Sequence, residues 1–326
     1  MKICKTKSEL LQFITVFKNE KSIGFVPTMG ALHRGHLQLI KESKVECDIT
    51  ICSIFINPTQ FNNIDDYNNY PKTLNQDIKK LIAAGCDAVY TPKINDIYAD
   101  GEKAKKFDFG TLANNMEGKF RPGHFNGMAT IVEKLFNIIN PAKAYFGQKD
   151  LQQLQIVKLL VKQMNSKIEV VGVQTSRDEN GLALSSRNKH LSQSDKNNAS
   201  LIYKCLEYCL ANKHKGIDNL KSYVKDEFKK QNKLKLEYIE MTNLNNLMPI
   251  KKWGGENENA ICIAAYRAAL TLLTNICSFR GNNKVFARSR SLTIIALFSG
   301  PKISGIRFNL YIRINTCNTI CMDLQR

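Results

Sequence analysis

Short β-rich apolar runs alternate with helical patterns through the first half of this chain, and few folds accept such an alternation. Segments 22–28, 49–57, 88–91, 144–147 and 168–173 are bounded by turn residues and read as strands. Between them, 37–46, 74–84, 127–139 and 150–164 carry apolar residues at three- and four-residue spacing, as helices do. Strand–helix alternation implies a parallel sheet covered on both faces, so the expected class is α/β with a Rossmann-type domain over 1–174. Ligands of such sheets lie beyond the carboxyl ends of the strands. The segments that follow each strand are therefore the ones to read for chemistry.

From about residue 175 the texture changes. A polar loop, 176–190, leads into helical patterns at 193–211 and 217–231 and a strand near 235–241, which suits a smaller α+β C-terminal domain over 175–282. Residues 283–326 differ again. They carry seven Lys/Arg against one acid, Asp323, and two short apolar runs separated by Ser-Gly-Pro. They are expected to form an atypical, poorly ordered tail that catalysis does not need; a regulatory or membrane-touching segment is the alternative.

Charge and cysteine content narrow the class. The net charge of +18 invites a nucleic-acid reading. Lysines are scattered as pairs, such as Lys79-Lys80 and Lys229-Lys230, without interleaved aromatics. A solvated basic surface is favoured, and no nucleic-acid partner is expected. Ten cysteines with no CxxC pair read as reduced, buried thiols; Cys205 and Cys209, four apart, lack further ligands at metal spacing. No apolar run approaches the roughly 18 residues of a membrane span, and the N-terminus lacks a signal-peptide core. The expected location is the cytoplasm, with no membrane contact and no protein-held metal.

Five segments carry candidate chemistry. In GFVPTMGALHRGHLQLI (24–40) a strand ends, Gly30 permits a tight turn, and a helix begins. His33 and His36 share one face of its first turns, where backbone N–H groups and the positive dipole end suit a phosphate. In AYFGQKDLQQLQIV (144–157), Lys149 can reach a phosphate and Asp150 can hold ribose hydroxyls at a strand's carboxyl end. In GLALSSRNKHL (181–191), two hydroxyls beside Arg187 form a clamp able to neutralise a leaving pyrophosphate, or else a helix cap in a loop. In SIFINPTQF (53–61), Asn57 and Gln60 offer neutral amides to substrate hydroxyls. In KFRPGHFNG (119–127), Arg121 and His124 lie in a Pro/Gly loop that reads as a lid or a turn.

Taken together, PTMGALHRGH, IFINPTQF, YPKTL, FRPGHFNG, FGQKDLQQ and LALSSRN, in this order, resemble the pantothenate synthetase family of the HIGH/KMSKS-type nucleotidyltransferase superfamily. The resemblance runs from about residue 1 to about 250. It implies a Rossmann-type domain holding ATP, a smaller C-terminal lid and a homodimer. It implies that ATP-dependent ligation of pantoate to β-alanine proceeds through a pantoyl-adenylate, with Mg²⁺ carried by ATP. ATP contacts implied are Met29, Gly30, Ala31, Leu32, His33, Arg34, Gly35 and His36; Gly147, Gln148, Lys149 and Asp150; and Ser176, Leu184, Ser185, Ser186 and Arg187. Gln60 and Gln153 would bind pantoate. His36, His33, Lys149 and Arg187 would carry the catalysis, His36 matching the residue usually assigned as proton donor. Gln148 stands where Glu is common and Leu151 where an aromatic is frequent. The family's last strand and helix, expected near 260–276, match poorly. A nucleotidyltransferase that retains the nucleotide in its product is the runner-up reading.

Overall fold

The computed structural model describes residues 1–17, 20–253, 259–267 and 270–278. They belong to the compact unit Met1–Arg280; the expected tail, 283–326, lies outside the described residues.

Strands β1 (Lys2–Cys4), β2 (Ile23–Thr28), β3 (Ile49–Ile54), β4 (Ala88–Tyr90), β5 (Lys143–Gly147) and β6 (Glu169–Val173) form one sheet in the order β1-β4-β3-β2-β5-β6. Every pairing in it is parallel. The crossovers hold α1 (Lys7–Thr15), α2 (Arg34–Glu46), α3 (Ile64–Asn68), α4 (Leu74–Ala83), α5 (Ile94–Ile97), α6 (Met116–Phe120), α7 (His124–Ile139) and α8 (Leu151–Gln163). On one face Leu10, Val132, Phe136 and Leu160 from α1, α7 and α8 bury against Phe25 and Ile51. On the other, Leu39, Ile40 and Leu81 from α2 and α4 cover Val26, Cys52 and Val89. Alternate residues of β2 and β3 therefore face opposite cores, which is why these strands read as continuous apolar runs.

The expected strands and main helices form, with ends displaced by a few residues. The edge strand β1 was not read from the sequence, because three residues leave too little periodicity to see.

A second sheet follows, with β7 (Lys235–Asn243), β8 (Asn259–Arg267) and β9 (Leu270–Ser278) all antiparallel. A strand followed by a helix was expected near 260–276; the strand forms, but the helix is a correction, since the segment makes two paired strands. Along β8, Ile261, Ile263 and Ala265 join the core under α9 (Gln193–Ala211) and α10 (Ile217–Lys229), while Ala260 and Cys262 join the first core. That period-two division marks a strand with both faces covered. Cys205 and Cys209 pack inside the α9–α10 core, and burial pushes their thiols up to about 12 and about 11.

Candidate functional site

Strand order reverses between β2 and β5: the chain runs outward from β2 through β3 and β4, then returns to lay β5 on β2's other side. A crevice at the carboxyl ends of adjacent strands is the expected result of such a reversal. A cavity of about 410 Å³ lies there, lined by Met29, His33, Gly35 and His36 after β2, and by Gly147, Lys149, Asp150 and Gln153 after β5. Of the other expected residues, Gln60, Ser176, Leu184, Ser185, Ser186 and Arg187 also line it. Segments more than 120 residues apart in sequence meet there, as the sequence analysis requires of one site.

The turn after β2 is shaped by backbone conformation. Gly30 has φ +82°, and a Cβ on it would come within 3.1 Å of Ile54 and 3.2 Å of Asp77. Ala31 follows with φ 50°, an uncommon conformation for a non-glycine residue. The buried Asp77 carboxylate on α4 holds that geometry. It accepts from Ala31 N and Leu32 N, each at 2.8 Å, and from Thr73 Oγ1 at 3.0 Å. Lys80 Nζ donates to the Leu32 carbonyl at 2.6 Å.

The two histidines cap α2. His33 Nδ1 accepts from Gly35 N (3.1 Å), and His36 Nδ1 accepts from His33 N (3.3 Å). A neutral imidazole whose Nδ1 accepts carries its proton on Nε2, so both rings keep an Nε2–H to offer an anion. The rings lie 4.0 Å apart, centroid to centroid. Burial, then the neighbouring cations, lower His36 to about 4; burial, then His36 and Lys149, lower His33 to about 2. Both are neutral donors at physiological pH.

The cations of the site are held by carboxylates. Lys149 Nζ lies 2.8 Å from Asp150 Oδ1, and Arg187 Nη2 lies 2.8 Å from Asp66 Oδ2. Burial would raise Asp150, but Lys149, with Arg187 and Arg121 adding to it, holds the carboxyl below the usual range. Ser185 caps the 3-10 turn by accepting from Arg187 N, while Ser186 donates its hydroxyl to the Ala31 carbonyl at 3.1 Å. The clamp is thereby tied to the β2 turn.

Amides and apolar groups complete the lining. Asn57 is buried and orients Gln60: its Nδ2 donates to Gln60 Oε1 (3.1 Å) and to the Gly127 carbonyl (3.0 Å). His124, lowered to about 4 chiefly by burial, donates Nδ1–H to the Gln60 carbonyl at 2.7 Å. Met128, Val132 and Leu135 of α7 supply an apolar wall. A small ligand with hydroxyls and methyl groups suits the amides and this wall, and a polyphosphate suits the histidines and the cations.

A family model described as pantoate-beta-alanine ligase matches residues 2–277. The chain belongs to that family. A pantothenate synthetase of Azobacteroides pseudotrichonymphae is 43% identical over 281 residues, spanning 85% of this chain and 99% of that protein. A Thermus thermophilus pantothenate synthetase structure aligns with TM-score 0.78 at 34% identity, over 85% of this chain and 99% of its own. A Francisella tularensis pantoate-beta-alanine ligase, solved with beta-gamma ATP and beta-alanine, aligns with TM-score 0.72 at 37% identity, over 85% and 97%. The match runs past residue 250, through β8 and most of β9, where the sequence motifs alone had faded.

Five residues expected at ATP do not line the cavity of this ligase-family chain. Gly30, Ala31 and Leu32 lie behind the turn, and the N–H groups of Ala31 and Leu32 are engaged by Asp77 rather than offered to phosphate. Arg34 reaches away, its Nη2 donating to the Arg177 carbonyl at 3.0 Å. Gln148 donates to the Gly172 carbonyl at 3.2 Å. Motif membership marks a segment, and only the fold shows which of its atoms face inward. Sequence reasoning missed Asp66, Tyr70, Asp77, Ser53 and Glu117. Ser53 Oγ is buried at the end of β3 with no hydrogen-bond partner among the described residues. Asp77 carried no local signal, since it looks like any polar residue on a helix.

Among the described residues, no group of three or more His, Cys, Asp or Glu is placed to hold a metal, and no helix is long and apolar enough to cross a membrane.

Proposed function

We propose that this chain performs the ligation for which its family is named, joining pantoate to β-alanine at the expense of ATP through a pantoyl-adenylate. The observation that carries the reading is one cavity whose lining combines donors to phosphate with oriented amides and an apolar wall. In the first step the pantoate carboxylate attacks the α-phosphorus of ATP, a P–O bond forms, and pyrophosphate leaves with the electron pair of the broken P–O bond. The nucleophile is already ionised, so no base is needed. Positioning and charge neutralisation remain for the protein to supply. His33 and His36 donate through Nε2, while Lys149 and Arg187 neutralise the phosphates as their carboxylate partners yield or share them. In the second step the amine attacks the acyl carbon and AMP departs.

Magnesium would enter this reading as part of the ATP substrate and would help neutralise its phosphates. The donor set fits that: the cavity carboxylates Asp66, Asp150 and Glu117 each lie against a cation and form no cage. We read residues 1–174 as the ATP and pantoate domain and 175–282 as its lid. A homodimer acting in the cytoplasm is also part of the proposal; it rests on the resemblance, and sedimentation velocity tests the assembly.

The deciding experiment is pyrophosphate exchange. With pantoate present and β-alanine omitted, labelled pyrophosphate should enter ATP, because adenylation is reversible. Exchange that required β-alanine, in a preparation active in ligation, would exclude the adenylate route. Release of free AMP on ligation separates this reading from a nucleotidyltransferase.

The amides of the cavity yield a second prediction. Gln153→Ala should raise the pantoate KM about tenfold or more, the worth of hydrogen bonds lost to a bound polar ligand. The exchange rate at saturating pantoate should fall far less. A variant with unchanged KM and lowered kcat would place Gln153 elsewhere in the mechanism.

A further inference from the structure

Three carboxylates line the cavity, and they are not equally engaged. Asp150 and Asp66 each hold a cation at 2.8 Å. Among the described residues, the cation that pairs with Glu117 is the Arg121 guanidinium, at 3.7 Å, longer than a hydrogen bond. Glu117 is nevertheless 7% exposed, which is unusual for an acid so loosely paired.

The surrounding structure fixes its position. The Glu117 N–H donates to Gln152 Oε1 at 2.9 Å, and Gln152 Nε2 donates back to the carbonyls of Leu112 (2.6 Å) and Asn115 (2.8 Å). Gln152 is buried and belongs to α8, the helix that begins directly after Lys149 and Asp150. The next residue, Gly118, admits no side chain, since a Cβ there would lie 1.9 Å from the Ala113 carbonyl oxygen. The short helix α6 is thus pinned so that Glu117 and, at its end, Arg121 both reach the cavity.

We propose that Glu117 and Arg121 form the subsite for the amino-acid substrate, Glu117 receiving its ammonium group and Arg121 its carboxylate. This rests on the ligase reading and names a site within it. A β-amino acid is a zwitterion with its charges two methylene groups apart, and a loosely joined carboxylate–guanidinium pair presents the complementary charges. Neither group is needed for the polyphosphate or for pantoate's hydroxyls.

Glu117 also answers a chemical need of the second step. The substrate arrives as an ammonium, which has no lone pair to attack with. Its proton passes to the Glu117 carboxylate, and the freed pair forms the C–N bond at the acyl carbon. The acyl C–O bond breaks, its electrons leaving on the AMP phosphate, and the second nitrogen proton goes to solvent. Nothing is oxidised or reduced. Burial raises Glu117 to about 7, against the lowering effect of Arg121 and Lys149 and with a further raising effect from Asp150 and Glu237; Tyr238 of β7 is also near. Such a carboxyl is ionised above neutrality and basic enough to accept the proton.

Glu117→Gln keeps the shape and the backbone contacts while removing the charge. Pantoate-dependent pyrophosphate exchange should stay within about twofold of the unsubstituted protein, while ligation of β-alanine falls about 10²-fold. Hydroxylamine, largely neutral at pH 7 and without a carboxylate, should still trap the adenylate as hydroxamate at an undiminished rate. The kcat/KM for β-alanine should rise through about pH 7 in the unsubstituted protein, and the variant should lose that step. Arg121→Gln should raise the KM for β-alanine by about tenfold or more with exchange intact, which tests the subsite even if the Glu117 variant fails to fold. Unimpaired ligation in Glu117→Gln would overturn the proposal. So would hydroxamate formation that falls as far as ligation does, since a structural defect would harm both nucleophiles alike. Absence of exchange in the unsubstituted protein would instead overturn the ligase reading beneath it.

Discussion

Replacing His36 with Ala should lower the rate of pantoate-dependent pyrophosphate exchange by about 10²–10³-fold, or ~2.7–4 kcal/mol of transition-state stabilisation. The ring's Nδ1 accepts from His33 N, which puts its proton on Nε2 of a ring that lines the cavity, where the proposal has it donate to the charge that builds as pyrophosphate leaves. Alanine deletes that donor. It also removes half of a capping box, a loss of about 1 kcal/mol that a domain of this size tolerates. Pantoate affinity should change little, since Gln60 and Gln153 rather than His36 are proposed to hold it. Because burial holds His36 at about 4, the exchange rate should show no histidine step between about pH 5 and 8. The same depression has a stability consequence. The unfolded imidazole, at 6.5, binds its proton before the folded one, so this contribution is present above 6.5 and lost as pH falls toward about 4. Near-normal exchange in the variant would remove His36 from the chemistry.

Asp77→Ala should destabilise the protein by about 3–5 kcal/mol and abolish most activity, although the carboxylate does not line the cavity. The substitution strands two buried backbone N–H groups, those of Ala31 and Leu32, and the Thr73 hydroxyl, at about 1–3 kcal/mol for each unsatisfied group. The turn it releases holds a left-handed alanine and carries Met29 on one side and His33 on the other, so the donors to phosphate lose their alignment. Denaturant unfolding followed by circular dichroism measures the first effect, and pyrophosphate exchange on folded material measures the second. A loss below about 1 kcal/mol would mean that water or a rearranged turn satisfies those donors.

Parallel-sheet class, the longer strands and helices up to about residue 250, and the segments that build the site were legible in the sequence; the three-residue β1 and the short helices α3, α5 and α6 were not. The legible properties are local. Apolar periodicity reports which faces are buried, and glycine followed by a helix start reports a turn, whatever the partner elements are. The last strand pair was not legible. The segment around 260–276 is apolar without a clear period, and β8 has both faces covered, so helix and strand could not be told apart until β7 was there to pair with it.

Within the site, residue types were determined by the sequence and atom roles by the tertiary structure. His33, His36, Lys149 and Arg187 could be chosen because their chemistry suits phosphate. That Ala31 and Leu32 spend their N–H groups on Asp77, and that Arg34 turns away, depends on α4 and on the 176–190 loop, which touch this turn only in the folded chain. Glu117 is the clearest case. In the sequence it is an acid before a glycine in a polar stretch; its burial, its loose guanidinium and its place in the cavity come from Gln152, 35 residues away. Burial and charge pairing are sums over neighbours brought by every crossover of the sheet, and no stretch of sequence carries that sum.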